Sequence, residues 1–321
     1  MLRRLFIVAV LAACVTACNG GSTNVPPFTS GVFVSPSPTP TPSPTPVPQH
    51  LYVGNDNPAA QIEQFTIPIT ATSTPNFTLT AGGNVVSLGL DTNGDLAVGL
   101  LNGNLQFFPA PLSGGSTATA TFSNGGASNN GQIAFMSSGG FWAANVANRV
   151  NRFNPPFSNA STPAAFVTDP GMVSDIGVAI DAAQNLYIAN AGAGNVSNLY
   201  VYAPPYTGAP IITPGVASTA YRKLAVSATQ LFACNITGAT GRVDVYTLPI
   251  TATSAPAFAM TTGMNFPEAL ALDAAGNLYV GNVGDSTVKV YAPPFSATSA
   301  PTVALTVGPA PFAIFGIAVG K

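Results

Sequence analysis

Histidine occurs once in this 321-residue chain, at His50, and charged side chains make up 6% of it. An ordinary soluble domain carries roughly a quarter charged residues. Each shortage removes a class of function. A Ser-His-Asp or Cys-His set needs a histidine inside a pocket, and His50 stands where a proline-rich segment gives way to the rest of the chain, so nucleophilic catalysis of that type is excluded. Zinc is short of ligands for the same reason, since Cys234 is the one cysteine outside the amino-terminal segment. A lone thiol there forms no internal disulfide. The net charge is −2 and no basic stripe runs along the chain, so no nucleic-acid partner is expected. Helical periodicity is missing as well. The longest apolar run, Leu5 to Val15, is about half of the ~20 residues a spanning helix needs.

That run has a different use. Arg3 and Arg4 precede it, and small residues lead from it into a cysteine, as "LAAC" ending at Cys14 or "VTAC" ending at Cys18. A positive start, a short apolar stretch and a small-residue approach read as an export signal over residues 1–17. The segment resembles a bacterial lipoprotein signal, which implies a diacylglyceryl group on Cys18, with Cys14 as the alternative. Residues 18–49 then form a Pro/Thr/Ser-rich tether. In "SPSPTPTPSPTPVP" proline takes every second position from Pro36 to Pro48, which holds the backbone extended. At ~3.1 Å per residue this spacer spans about 45 Å. The expected address is the bacterial cell envelope, with a membrane reached through a lipid anchor.

What remains, residues 50–321, repeats itself. The phrase "LYVGN" and its variants start at Leu51, Leu96, Phe141, Leu186, Leu231 and Leu278, with gaps of 45, 45, 45, 45 and 47 residues. A period in that range marks a propeller or a solenoid. Each unit holds four short strand-like runs, which selects the propeller. Inner strands read as "SLGLD", "QIAFM", "IGVAID", "KLAVS" and "ALALD", continuous apolar runs of the kind expected when both faces of a sheet are covered. Asp91, Asp181 and Asp273 open tight turns with Asn or Gly following. Pro75, Pro256 and Pro301 precede the outermost strands, where a missing N–H is tolerated and pairing with other chains is discouraged. The chain stops on an inner-strand phrase, "FGIAVGK", and the repeat starts on a second-strand phrase, "HLYVGN". The fold expected is therefore all-β, a six-bladed β-propeller with four-stranded blades, closed by the C-terminal strand pairing into the first blade. A monomer is expected.

The "GNLYVGN…VxVY" phrase resembles NHL-repeat propellers and, more broadly, the six-bladed gluconolactonase group, over about residues 50–321. The charged residues common in NHL repeats are mostly missing, and so is a gluconolactonase-like "PNG" phrase.

Second strands end in Asn55, Asn145, Asn190, Asn235 and Asn282, with Leu100 in the second blade. Asp175 and Glu268 lie just before inner strands, on the same face. A ring of carboxamides with two carboxylates suits a hard cation such as calcium, and an asparagine at a strand end equally suits a cap on the loop it begins. The gluconolactonase resemblance implies a metal held by Glu268, Asn145, Asn190 and Asp175. Arg149, Arg152, Arg222, Lys223 and Arg242 read as scattered, solvated cations near that face. The loops after the second strands, from "DNPAAQIEQ" to "VGDST", differ most between units. Two functions are consistent with this pattern: a non-enzymatic module that binds an unknown protein or glycan without a cofactor, and a calcium-dependent, lactonase-like hydrolase.

Overall fold

A computed structural model describes residues 48–321 apart from 57–59, 127–128, 147, 193 and 309–312. The expected signal, both candidate lipidation sites and the proline run as far as residue 47 lie outside the described residues. No helix occurs among the described residues.

Six antiparallel sheets make the propeller. Blade two shows the order, with strands Val85–Leu90, Leu96–Leu100, Asn104–Phe108 and Ala120–Ser123 running from the axis outward. Blade one is assembled from both ends of the repeat region. Its inner strand, Ile314–Gly320, pairs with His50–Asn55 from His50↔Gly320 to Asn55↔Ile314, and Gln61–Thr66 and Phe77–Thr80 complete it. The closure expected from the two end phrases is present.

Burial explains why the strands read as unbroken apolar runs. Neighbouring strand residues point to opposite faces, and each face meets a different blade. Leu51 and Val53 pack with Tyr279 and Val290 of blade six, while Tyr52 packs with Leu88 and Val98 of blade two. The core is thus a ring of six clusters, one in each seam between blades. The seams are tight near the axis. A Cβ on Gly281 would sit 2.6 Å from Ile314 and 2.9 Å from Ile317, and Cys234, in the equivalent place in blade five, is buried.

The turns follow the sequence reading. Asp91 Oδ1 accepts the N–H of Asn93 and of Asp95, at 2.8 and 2.9 Å. Asp181 and Asp273 hold Asn185 and Asn277 in the same way. Gly94 and Gly276 supply the positive φ, and Gln184 does so in blade four. Blade four also departs from the pattern. Its outer strand is split into Ile211–Ile212 and Val216–Ala217, both pairing with Val196–Tyr202. Pro214 and Gly215 fall in the break; proline cannot donate to a ladder.

Candidate functional site

On one face the second strands end and the inner strands begin, and there the inner strands carry an irregularity. The pairing register shifts between Val85 and Ser87, Asp175 and Gly177, Tyr221 and Leu224, and Pro267 and Ala269, and in blade one opposite Gly54 and Asn55. In blade three Ala144 bonds both Gly131 and Gln132. A bulge turns the backbone and re-aims a side chain. Val86, Arg222, Glu268 and Phe315, which occupy these bulges, line a cavity of about 340 Å³ at the mouth of the central channel.

One step below, the inner strands present Ser87, Gln132, Gly177, Lys223, Ala269 and Gly316. Four of the six are small, and that leaves room for the two long ones. Gln132 reaches across two seams. Its Oε1 accepts from Val178 N at 3.1 Å and from Leu224 N at 2.7 Å, and its Nε2 donates to Leu224 O at 2.7 Å. Blades three, four and five are thereby tied together inside the bore. Gly177 lies between them with no space for a side chain, because a Cβ there would collide with the carbonyl oxygen of Arg222. Around Gln132 and Lys223 the free space narrows to about 10 Å³, and below it widens to about 240 Å³ among aliphatic residues. The mouth cavity is closed beneath by this constriction.

Lys223 is 5% exposed. Burial lowers its pKa to about 8, with the Glu268 carboxylate opposing the fall and Arg222 adding to it. Burial also raises Glu268, while Arg222 and then Lys223 pull it part of the way back. Arg222 Nε lies 3.3 Å from Glu268 Oε1 but off the line of a hydrogen bond, and it has no other partner. Two further buried atoms on this cavity are also unpaired, Asp56 Oδ1 and Asn129 Oδ1.

The asparagines expected at the second-strand ends are where the repeat put them, and their side chains hold loops. Asn190 Oδ1 accepts from Val173 N and Ser174 N, and its Nδ2 donates to Gly171 O and Asn198 Oδ1. Asn282 bonds Asn265 N, Gly263 O and Thr287 Oγ1. Asn235 bonds Ala220 N, Thr237 N and Asp244 Oδ2. Asn55 caps Ala313 N. Asn145 donates to Asn124 O and leaves its Oδ1 unpaired. Of the seven residues proposed for the ligand face, Glu268 lines the mouth cavity and the five asparagines do not; for Asp175 the strand position alone is described, opposite Asn190. Replacing Asn190 by Ala strips the cap from two N–H groups and should cost about 2 kcal/mol, seen as a Tm lower by roughly 4–8 °C. A melt unchanged within error would mean that the asparagine serves something other than the loop.

Two of the four residues implied for a metal, Asn190 and Glu268, are already engaged. Asn190 has no free lone pair aimed at the cavity, and Glu268 faces the Arg222 and Lys223 cations. Lys223, expected on the solvated surface, is instead the most enclosed charge at the mouth. The other cations also have local partners: Arg242 bonds Asp244 at 2.6 Å, Arg149 donates to Gly125 O and covers Phe166, and Arg152 lies over Trp142. His50 begins the strand that ends at Asn55, so the single histidine sits at the opposite end of that strand from the mouth.

No protein-family model matches the chain, and no curated protein matches it. Solved structures do. A chain from a nidogen/laminin complex matches with a TM-score of 0.63 at 15% identity, covering 85% of this chain and 98% of that one. A Lactobacillus plantarum protein matches with a TM-score of 0.58 at 14% identity, covering 86% and 100%. A functionally unknown protein from Desulfotomaculum acetoxidans gives a TM-score of 0.57 at 14% identity, covering 85% and 99%. At such identities the likeness establishes the six-bladed fold and nothing about activity.

Proposed function

We propose that this chain is a lipid-tethered binding module of the bacterial envelope, with the propeller held off the membrane by its proline-rich segment and its ligand taken at the channel mouth. The observation that carries this reading is the mouth cavity, closed below and bordered by the loops that differ most between repeats. Loops on a rigid frame are where recognition is usually placed, and a concave, partly polar recess is the usual form of a small-ligand site. The lipid anchor is supported by Arg3, Arg4 and the approach to Cys18.

Labelling cells with an alkyne fatty acid should mark the wild-type chain and leave Cys18→Ala unmarked. Label lost in Cys14→Ala instead would move the attachment point, and no label on the wild type would remove the anchor. Calcium-dependent turnover of a lactone, falling in Glu268→Ala, would replace the binding module with the hydrolase.

A further inference from the structure

The mouth cavity is divided by chemistry. Blade five contributes two cations: Arg222, whose Nε lies 3.3 Å from Glu268 Oε1 without a hydrogen bond, and Lys223, which is 5% exposed. Blades one and three contribute two buried acceptors with nothing to accept, Asp56 Oδ1 and Asn129 Oδ1. Val86 and Phe315 form apolar wall between them. Buried polar atoms normally find partners, and each one left alone costs free energy. Three of them on one cavity, beside an enclosed ammonium, describe the negative image of a ligand. The missing molecule has an anionic group for blade five and hydrogen-bond donors for blades one and three.

We propose that the mouth cavity binds a small carboxylate that also carries hydroxyl or amino donors, with its carboxylate on Lys223 and Arg222 and its donors on Asp56 and Asn129. Sulfate and chloride offer no donors, neutral sugars offer no charge, and simple fatty acids offer one half of the pattern. The volume of about 340 Å³ accommodates a monosaccharide-sized acid. Glu268 is the counter-charge that keeps Lys223 tolerable in the empty cavity, and an incoming carboxylate adds a second. The inference rests on the binding-module reading and names the ligand class of the same site.

Charge state sets the pH range. The groups facing Lys223 are Glu268, Arg222 and Cys234, with Asp56 on the same cavity. Lys223 is protonated below about 8 and loses its proton above it, so carboxylate binding should weaken as pH rises through that value.

The test is calorimetric titration of the full chain in detergent with four probes: glucuronate, alanine, glucose and propionate. Glucuronate or alanine should bind, and whichever of them binds identifies hydroxyl or amino donors. Glucose and propionate should bind at least tenfold more weakly. Lys223→Met, which keeps the bulk of the side chain, should weaken the productive probe roughly tenfold or more. Asp56→Asn and Asn129→Ala, on the opposite walls, should each weaken it several-fold while melting like the wild type. Binding of none of the four at 10 mM or so overturns the proposal, as does glucose equal to glucuronate, or Lys223→Met equal to wild type. A fatty-acid-labelled chain that turns over no lactone and ignores every probe loses this inference alone. Calcium-dependent lactone turnover removes the parent reading with it.

Discussion

Deleting residues 314–321 should leave a chain with no cooperative thermal transition and no native near-UV circular dichroism. Those residues supply the whole inner strand of blade one, in register with His50 to Asn55. Ile314, Ile317 and Ala318 are buried in the two seams on either side. Burying one such aliphatic side chain stabilises by about 2 kcal/mol, and the ladder pairing comes on top of it. The net stability of a domain is typically about 5–15 kcal/mol, so the loss approaches or exceeds what there is to lose. The effect is also larger than local, because an open first blade exposes the seams to blades two and six together. A truncated chain melting within a few degrees of the intact one would show that the ring does not depend on this strand.

The second large effect is expected at Gln132. Gln132→Leu fills a similar volume and removes the three hydrogen bonds that join blade three to Val178 and Leu224. Two N–H groups and a carbonyl inside the bore are then left without partners. At about 1–3 kcal/mol for each buried group left unmade, the variant should lose roughly 3–9 kcal/mol and melt on the order of 10–20 °C lower. Gln132→Glu separates the contributions: it still accepts from both N–H groups and forfeits the donor to Leu224 O, so its loss should be smaller than that of Leu. Equal melts for Leu, Glu and wild type would mean that the bore is held by the seams alone.

The architecture was legible because one period governs it. Strands fixed at Leu51, Leu96, Phe141, Leu186, Leu231 and Leu278 return at the same depth of every blade, and the end phrases fit as halves of one sheet. The cavity was legible in one residue, Glu268, and hidden elsewhere for a physical reason. A repeat alignment reports which positions are alike, whereas a recess is made by the positions that differ. Four inner-strand phrases begin with Ser87, Gln132, Lys223 and Ala269, and the blade-four phrase has Gly177 in second place. Read as apolar runs, their first letters look incidental. Placed on the axis they are a ring of small residues broken twice, by the glutamine that ties the bore and the lysine that charges it. The bulges that aim Arg222 and Glu268 at the channel leave no mark in hydropathy, since they alter register and not composition. The asparagine column misled in the opposite way. Its regularity reflects a recurring need, a loop N–H without a backbone partner, which Asn55, Asn190, Asn235 and Asn282 meet with the same side chain, while Asn145 instead donates to a loop carbonyl.

The closing strand has a consequence for the order of assembly. Asn55 and Ala313, which are hydrogen-bonded, stand 258 residues apart along the chain, so this contact belongs to the slowest class of pairings in folding. Until it forms, the first β-strand of the repeat region offers a bare edge, and a bare edge accepts any segment of matching register. The matching segment of a second molecule is chemically identical to the proper one. Crowded, half-assembled chains therefore have a ready route to exchanging their last strands, and dilution during refolding favours each ring closing on itself.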